Sequence, residues 1–556
     1  MLRSALLAAL FVLLASIGLA GTVTLPKTGQ QFSYYPGDDG GILAGVSWPE
    51  PRFTDHLDGT VTDDLTGLMW SRHANLPGQA LSWSAALRYV SEMNTGTYHN
   101  FGWTDWRLPN VRELETLIDH GNTSPALPLG HPFEGIKADS PYWSATTVTS
   151  LSALAWCVDI RHGGAGKSAK IRRYPIWPVR SGTTHAPARA FETGQGECYD
   201  ARGELVDCEG TGQDGEFQQG VLWQEPRFRD RFDGTVVDTL TGLMWTKDAN
   251  VRGGTMTWPE ACEYVADMNA GRYPNRGYTD WRLPNLVELR SLLDYGSPKM
   301  PLPADHPFDD VQASYYWTAT SSAANPVTLA HTVRMSVGDT YTFDKSNYCY
   351  TWPIRGVFTW PVRPHSLSAS HYGYCHDWRK HPRGCFWLGK SNGDVNGVWR
   401  DAQPFQMHLY RGHFHLGADY NRGGADMDRG QPVYPAAEGI VSRVIENECG
   451  WGNIVFVRHE MPFGVFTTMY AHVDWLETGP PLEGIHVRLD QPICYVGDGN
   501  WNNQNCDREK EGCYPCHLHF ELRLGDNLTI GLGYSRDRVE VGPQGQVDPN
   551  AFIMAH

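Results

Sequence analysis

Asp58-Gly-Thr-Val-Thr-Asp-Asp-Leu-Thr-Gly-Leu-Met-Trp70 returns 175 positions later as Asp233-Gly-Thr-Val-Val-Asp-Thr-Leu-Thr-Gly-Leu-Met-Trp245. Thr104-Asp-Trp-Arg-Leu-Pro-Asn110 returns at the same spacing as Thr279-Asp-Trp-Arg-Leu-Pro-Asn285. Further on, Tyr142-Trp143-Ser returns as Tyr316-Trp317-Thr, and Trp177-Pro-Val-Arg180 as Trp360-Pro-Val-Arg363. Upstream, Thr28-Gly-Gln30 returns as Thr193-Gly-Gln195 after only 165 positions, so the second copy has a longer lead-in. A duplication of this size repeats a whole module and sets the architecture before any local reading.

Each copy reads as mixed α and β. Asp58-Gly59 and Asp233-Gly234, flanked by strand formers, predict hairpins. Asn110 with Glu113, and Asn285 with Glu288, predict capping boxes at helix starts. Val111, Leu114, Leu117 and Ile118 follow at helical spacing, with Gly121 expected to end this helix and Gly296 its equivalent. Trp106 and Trp281 are expected in the core, and Arg107 and Arg282 are expected to tie down backbone carbonyls. His73 and Cys157 are matched by Asp248 and Thr332, so no reactive set recurs and the copies read as scaffolds rather than enzymes. No aspartate cluster has EF-hand spacing, and no calcium site is expected. Over roughly residues 46–182 and 220–366 these motifs resemble the Lcl-type C-terminal domain, a bacterial extracellular module. The Trp-Arg-Leu-Pro-Asn signature is also similar to C-type lectin-like folds. The resemblance implies a surface- or glycan-binding part.

At 556 residues the chain has room for three or four domains. Met1-Leu-Arg3, the apolar run from Ala5 to Leu19 and the small residues of Gly18-Leu-Ala20 describe a cleavable secretory signal. Export to the periplasm or the cell exterior is therefore expected. No later run is apolar and long enough to span a bilayer. The 12 cysteines suit an oxidising compartment. Cys198 with Cys208, and Cys375 with Cys385, bracket short polar loops and read as local disulfides. Cys506, Cys513 and Cys516 read as a structural set beside His517. A net charge of −16 disfavours nucleic acid and nonspecific attraction to anionic wall polymers.

The groups that carry chemistry lie near the C-terminus, in His415-Leu-Gly-Ala-Asp419, Met469-Tyr-Ala-His472 and His517-Leu-His519-Phe520. A hydrolytic zinc site takes three N or O ligands and keeps a fourth position for water. His415, Asp419 and His519 meet that requirement, leaving His472 and His517 for proton transfer. The intervening stretches from Gly430 and from Gly452 alternate like short antiparallel strands. On such a strand His517 and His519 share a face while Leu518 and Phe520 face the core. His459-Glu460 is not a helical zinc pair, because Phe463 stands where a second His is needed and Pro462 breaks a helix. His413, two residues before His415, could face the same side.

In this order, over roughly residues 411–525, the motifs look like the lysostaphin/LytM-type zinc metallopeptidases, which cut peptides of bacterial peptidoglycan from a small β-rich domain. The resemblance implies Zn²⁺ held by His415, Asp419 and His519, with His472 and His517 assisting the attacking water. The chain departs from that family at residues 500–516, where a disulfide-tied wall of the cleft is expected. The fold class expected is multidomain: two α+β, C-type lectin-like modules followed by a mainly antiparallel β zinc peptidase domain. The expected divisions are a signal peptide at 1–20, modules at 21–182 and 183–366, a linker or lead-in at 367–410, the peptidase at 411–530 and a tail at 531–556. The expected function is an exported zinc metalloendopeptidase acting on peptidoglycan cross-links, with two accessory modules. The alternatives are a catalytically silent regulator of the wall and a zinc protease acting on proteins.

Overall fold

The computed structural model describes residues 23–182, 186–223 and 226–356, and then 430–437, 439–448, 451–461, 464–476, 478–487, 491–497 and 518–530. It also describes short strands at Tyr372–Tyr374, Phe386–Leu388, Trp399–Gln403, His408–Leu409, His413–His415, Ala418–Asn421, Tyr534–Ser535 and Gln546–Val547. The expected signal peptide and the cysteines at 375, 385, 506, 513 and 516 lie outside the described residues.

In the first copy the Asp-Gly turn joins Phe53–Asp55 to Thr60–Asp63, which pairs with Leu68–Ser71, and Val179–Arg180 closes the antiparallel sheet. Phe228–Asp230, Thr235–Asp238, Leu243–Thr246 and Ile354–Gly356 repeat it. Arg180 pairs with Met69 and Arg355 with Met244, so the second Trp-Pro-x-Arg is Trp352-Pro-Ile-Arg355. This corrects the match to Trp360-Pro-Val-Arg363, which lies beyond the closing strand. Two like motifs that start eight residues apart cannot be told apart until one of them is hydrogen-bonded. Trp177 and Trp352 each donate Nε1–H to a strand carbonyl at 2.9 Å, of Ser71 and Thr246 respectively.

Val111–Thr116 and Leu286–Ser291 are helices with complete capping boxes at Asn110/Glu113 and Asn285/Glu288. Arg107 and Arg282 tie down these same glutamates in bidentate pairs of 2.5–2.6 Å, and Arg282 also donates to the Leu283 carbonyl at 3.4 Å. Both partners are buried, so each charge is neutralised where water is excluded. Trp106 and Trp281 are core residues, as expected. The helices are shorter than predicted. Gly121 and Gly296 do not end them but let a lead-in backbone pass: an added Cβ would stand 2.7 Å from the Gly29 carbonyl oxygen and 2.0 Å from that of Gly194.

The lead-ins cross between copies. Gln30 exchanges two hydrogen bonds with the backbone of Ser321, and Asp39 accepts from both Thr28 and Thr320. Gln195 does the same with Thr147, and Asp214 accepts from Thr193 and Thr146. The first lead-in therefore completes the second copy and the second completes the first. Arg112 reaches the Arg290 and Leu293 carbonyls across the seam, and Arg290 pairs with Glu115 at 2.5 Å. One hydrophobic core runs through both copies. Cys198 and Cys208 are disulfide-bonded, whereas Cys157, Cys262, Cys349 and Cys494 are free and buried.

The C-terminal part is a 12-stranded, mostly antiparallel sheet. Its centre runs from Ala418–Asn421 through Leu518–Leu524, Gly464–Asp474 and Gly452–Met461 to Gly439–Glu448. Leu518, Phe520 and Leu522 pack on one face with Val441, Val455 and Tyr470, as the alternation predicts. Residues 367–410 contribute three strands to the edge beyond Ala418–Asn421, and the tail returns Gln546–Val547 to pair with Leu522 and Arg523. Among the described residues no helix is long and apolar enough to cross a membrane.

Candidate functional site

The site grows from one row across the sheet. His519 stands near the start of Leu518–Leu524, with Asp419 directly opposite on one neighbouring strand and Ala471 on the other. Regular alternation would send the next residue, His472, to the Tyr470 face. Instead the register slips there: Asn453 pairs with Val473 while Ile454 pairs with Ala471, leaving His472 as a bulged residue at φ 60°. A left-handed conformation is unfavourable for a residue with a Cβ, and bulges of this kind re-aim side chains. The His472 ring lies 6.2 Å from that of His519. Two backbone bonds hold the bulge: His472 N–H donates to the Trp451 carbonyl at 3.0 Å, and Gly497 N–H donates to the His472 carbonyl at 2.9 Å.

Trp451 touches both histidines. Its indole stacks on His472 at 6.0 Å and meets His519 edge-on at 4.9 Å. The turn before Gly452–Met461 places it there, and nothing in the sequence pattern marked it. Behind His519, Nε2 lies 3.2 Å from Glu521 Oε1, and the other Glu521 oxygen accepts from Arg523 Nε at 2.8 Å and Gln546 Nε2 at 3.1 Å. Burial alone would raise the Glu521 carboxyl, but the His519 hydrogen bond and the Arg523 guanidinium hold it below the usual range. A carboxylate on one ring nitrogen fixes the orientation of a histidine that ligates a metal through the other. Glu521 and Arg523 were within reach of the sequence reading, since the alternation that pairs His517 with His519 continues through both.

His413–His415 pairs with Tyr534–Ser535, setting His415 opposite Tyr534. The side chains of His413, His415 and Asp419, and the whole of His517, lie outside the described residues. Among the described residues no group of three metal donors gathers. His459 is buried in the strand Gly452–Met461 and bonds to Thr468 Oγ1 at 2.7 Å, so it belongs to the opposite face and not to a helical metal motif. Tyr470 is likewise structural: burial pushes its phenol up, and the oxygen accepts from Ala436 N–H at 2.6 Å.

No curated protein matches the chain. Among solved structures it is similar to the antimicrobial peptidase lysostaphin from Staphylococcus simulans, with 18% identity over 27% of this chain and 47% of that one and a TM-score of 0.18. It is also similar to a catalytic-domain mutant of the prophage-encoded M23 protein EnpA from Enterococcus faecalis (20% identity, 27% and 85% covered, TM-score 0.18). For LytU the figures are 20% identity, 28% and 82% covered and a TM-score of 0.18. The chain thus spans about half the length of the lysostaphin chain. Residues 413–529 match peptidase family M23, and residues 59–180 and 234–355 each match the Lcl C-terminal domain. The match to peptidase family M23 thus lies C-terminal to the two matches to the Lcl C-terminal domain.

Proposed function

We propose that this protein is an exported zinc metalloendopeptidase that hydrolyses peptide bonds in peptidoglycan cross-links, and that its two Lcl modules hold it at a glycan-rich surface. The observation that carries the reading is the juxtaposition of His472 and His519 by a strained bulge, in the row that also holds Asp419. The donor set fits zinc in kind: His415, Asp419 and His519 offer two imidazoles and a carboxylate, and the Glu521 hydrogen bond orients the His519 ring. When bound, zinc supplies Lewis acidity and brings the pKa of water from ~15.7 towards ~7.

The chain's own residues do the rest. His472 and His517 take a proton from the attacking water as its oxygen adds to the scissile carbonyl, and return one to the departing amine as the C–N bond breaks. Trp451 keeps the His472 ring in place and covers one side of it from water. Two linked modules raise local concentration at a surface without any new type of contact.

The test is mass spectrometry of muropeptides after purified sacculi are incubated with the zinc-loaded full chain. New termini at cross-links are expected. Asp419→Ala and His519→Ala should lose zinc by elemental analysis, whereas His472→Ala and His517→Ala should keep it and lose about 10²–10⁴-fold in turnover. Zinc retained stoichiometrically in Asp419→Ala would overturn the ligand assignment. Cleavage of proteins with intact muropeptides would overturn the substrate.

A further inference from the structure

The duplication supplies an internal control for every position, and one place in the copies differs sharply. Each has a three-stranded antiparallel meander: Pro141–Thr147, Leu154–Asp159 and Ala165–Ala169 in the first, Tyr315–Ser321, Leu329–Arg334 and Thr340–Asp344 in the second. By register Pro141 corresponds to Tyr315, Asp159 to Arg334, Gly166 to Tyr341 and Ser168 to Phe343. In the second copy the three aromatics pack together at centroid distances of 4.7–6.2 Å, and the Arg334 guanidinium lies over Tyr315 and Tyr341. In the first copy those rings are missing. What replaces them is a cleft of about 330 Å³ at the seam between the copies.

The lining mixes polar and apolar groups. It includes Asp159, His162, Lys167 and Tyr174 from the first copy and His331 and Thr342 from the second. Lys167 is already paired with Asp339 at 3.2 Å, and burial pushes the His331 imidazole down to about 4, so neither offers a free positive charge to an anion. Cys157, at the floor, is pushed up to about 12 by burial and then by Asp159, so it stays a thiol and gives no nucleophile. The space lies at the small end of the ~300–1,000 Å³ range of small-molecule sites. A carboxylate, hydroxyl and imidazole groups beside apolar surface and one aromatic wall suit a neutral ring bearing several hydroxyls.

We propose that this cleft binds one sugar ring of a polysaccharide, and that the site is open in the first copy and closed in the second. The proposal rests on the reading of the modules as glycan-binding and gives that reading a location. Gly166 provides the decisive variant. An added Cβ there meets nothing within 4 Å and its backbone is not left-handed, so Gly166→Tyr installs the second copy's residue without strain.

The full chain would be titrated calorimetrically with the β-1,4-linked trisaccharide of N-acetylglucosamine, and its sedimentation with sacculi measured in parallel. Single-site binding is expected, weakened about ten-fold or more in Gly166→Tyr and in Asp159→Asn, with thermal unfolding unchanged. Trisaccharide and sacculi binding equal to the parent's in Gly166→Tyr would overturn the cleft while leaving the modules as glycan binders. Binding of a free stem peptide, but not the trisaccharide, that Gly166→Tyr abolishes would overturn the sugar. No binding by the parent to either the trisaccharide or sacculi would overturn the module reading as well.

Discussion

The tandem modules and the C-terminal sheet both bury charged side chains, but they use them differently. In the modules Arg107–Glu113 and Arg52–Asp63 recur as Arg282–Glu288 and Arg227–Asp238, and the further bonds of Arg52 and Arg227 go to the Thr116 and Ser291 carbonyls of the scaffold. In the sheet the buried chain Gln546–Glu521–Arg523 has no second copy, and it ends at His519, beside His472. Asp39 and Asp214 are among the most strongly shifted carboxyls described, yet each only receives two threonine hydroxyls. Burial and a displaced pKa thus mark structure as readily as chemistry. What separates the cases is whether the polar chain ends within the scaffold or at a side chain of the candidate site.

The largest effect should come from the crossed lead-ins. Deleting residues 23–46 removes Gln30 and Asp39 from the second copy, and calorimetry should show the cooperative transition of the tandem abolished. A truncated chain that melts like the parent would mean that the crossing carries no stability. Next, Arg107→Met and Arg282→Met should each cost about 3–5 kcal/mol in urea unfolding, because either leaves a buried carboxylate unpaired. Similar costs in the two copies are expected from their matching surroundings, and a large disparity would break the internal symmetry.

Glu521→Gln puts the comparison itself at risk. If Glu521 orients a metal ligand, zinc affinity measured by chelator competition should fall about 10–100-fold while the fold persists. Unchanged zinc affinity would place Glu521 with the purely structural carboxylates of the modules.

The smallest effect concerns pH. Burial raises Asp39 to about 7 and Asp214 to about 6. A folded carboxyl raised above its unfolded value near ~3.9 binds the proton more tightly when native. Its contribution therefore favours folding at acid pH and is lost as pH rises through that window. Asp39→Asn cannot ionise, so its melting temperature relative to the parent should climb between pH 5 and pH 8. Buried neutral histidines such as His331 have the opposite slope, but they are common to both proteins and cancel in the difference. A flat difference would mean that Asp39 is not raised.

Much was legible in the chain. The duplicated motifs gave two modules, Asn-x-x-Glu gave both caps, and the alternation around His519 gave the two faces of its strand, because each depends only on residues close in sequence. The two lead-ins, Thr28-Gly-Gln30 and Thr193-Gly-Gln195, were equally visible, but not which copy each would complete. Both copies offer the same hydrogen-bonding groups, so local affinity cannot choose between them, and the choice falls to chain connectivity and the packed seam. The same limit explains Gly121, whose missing Cβ serves a backbone ninety residues away rather than its own helix. It also explains His472: a period of two sends that side chain to the wrong face, and only the slip against Asn453 and Ile454 turns it towards His519. Sequence alone determined the modules, their caps and the residue types for the site. Tertiary structure decided which lead-in completes which copy, and which ring meets which across the sheet, because those outcomes depend on contacts between segments that no local pattern relates.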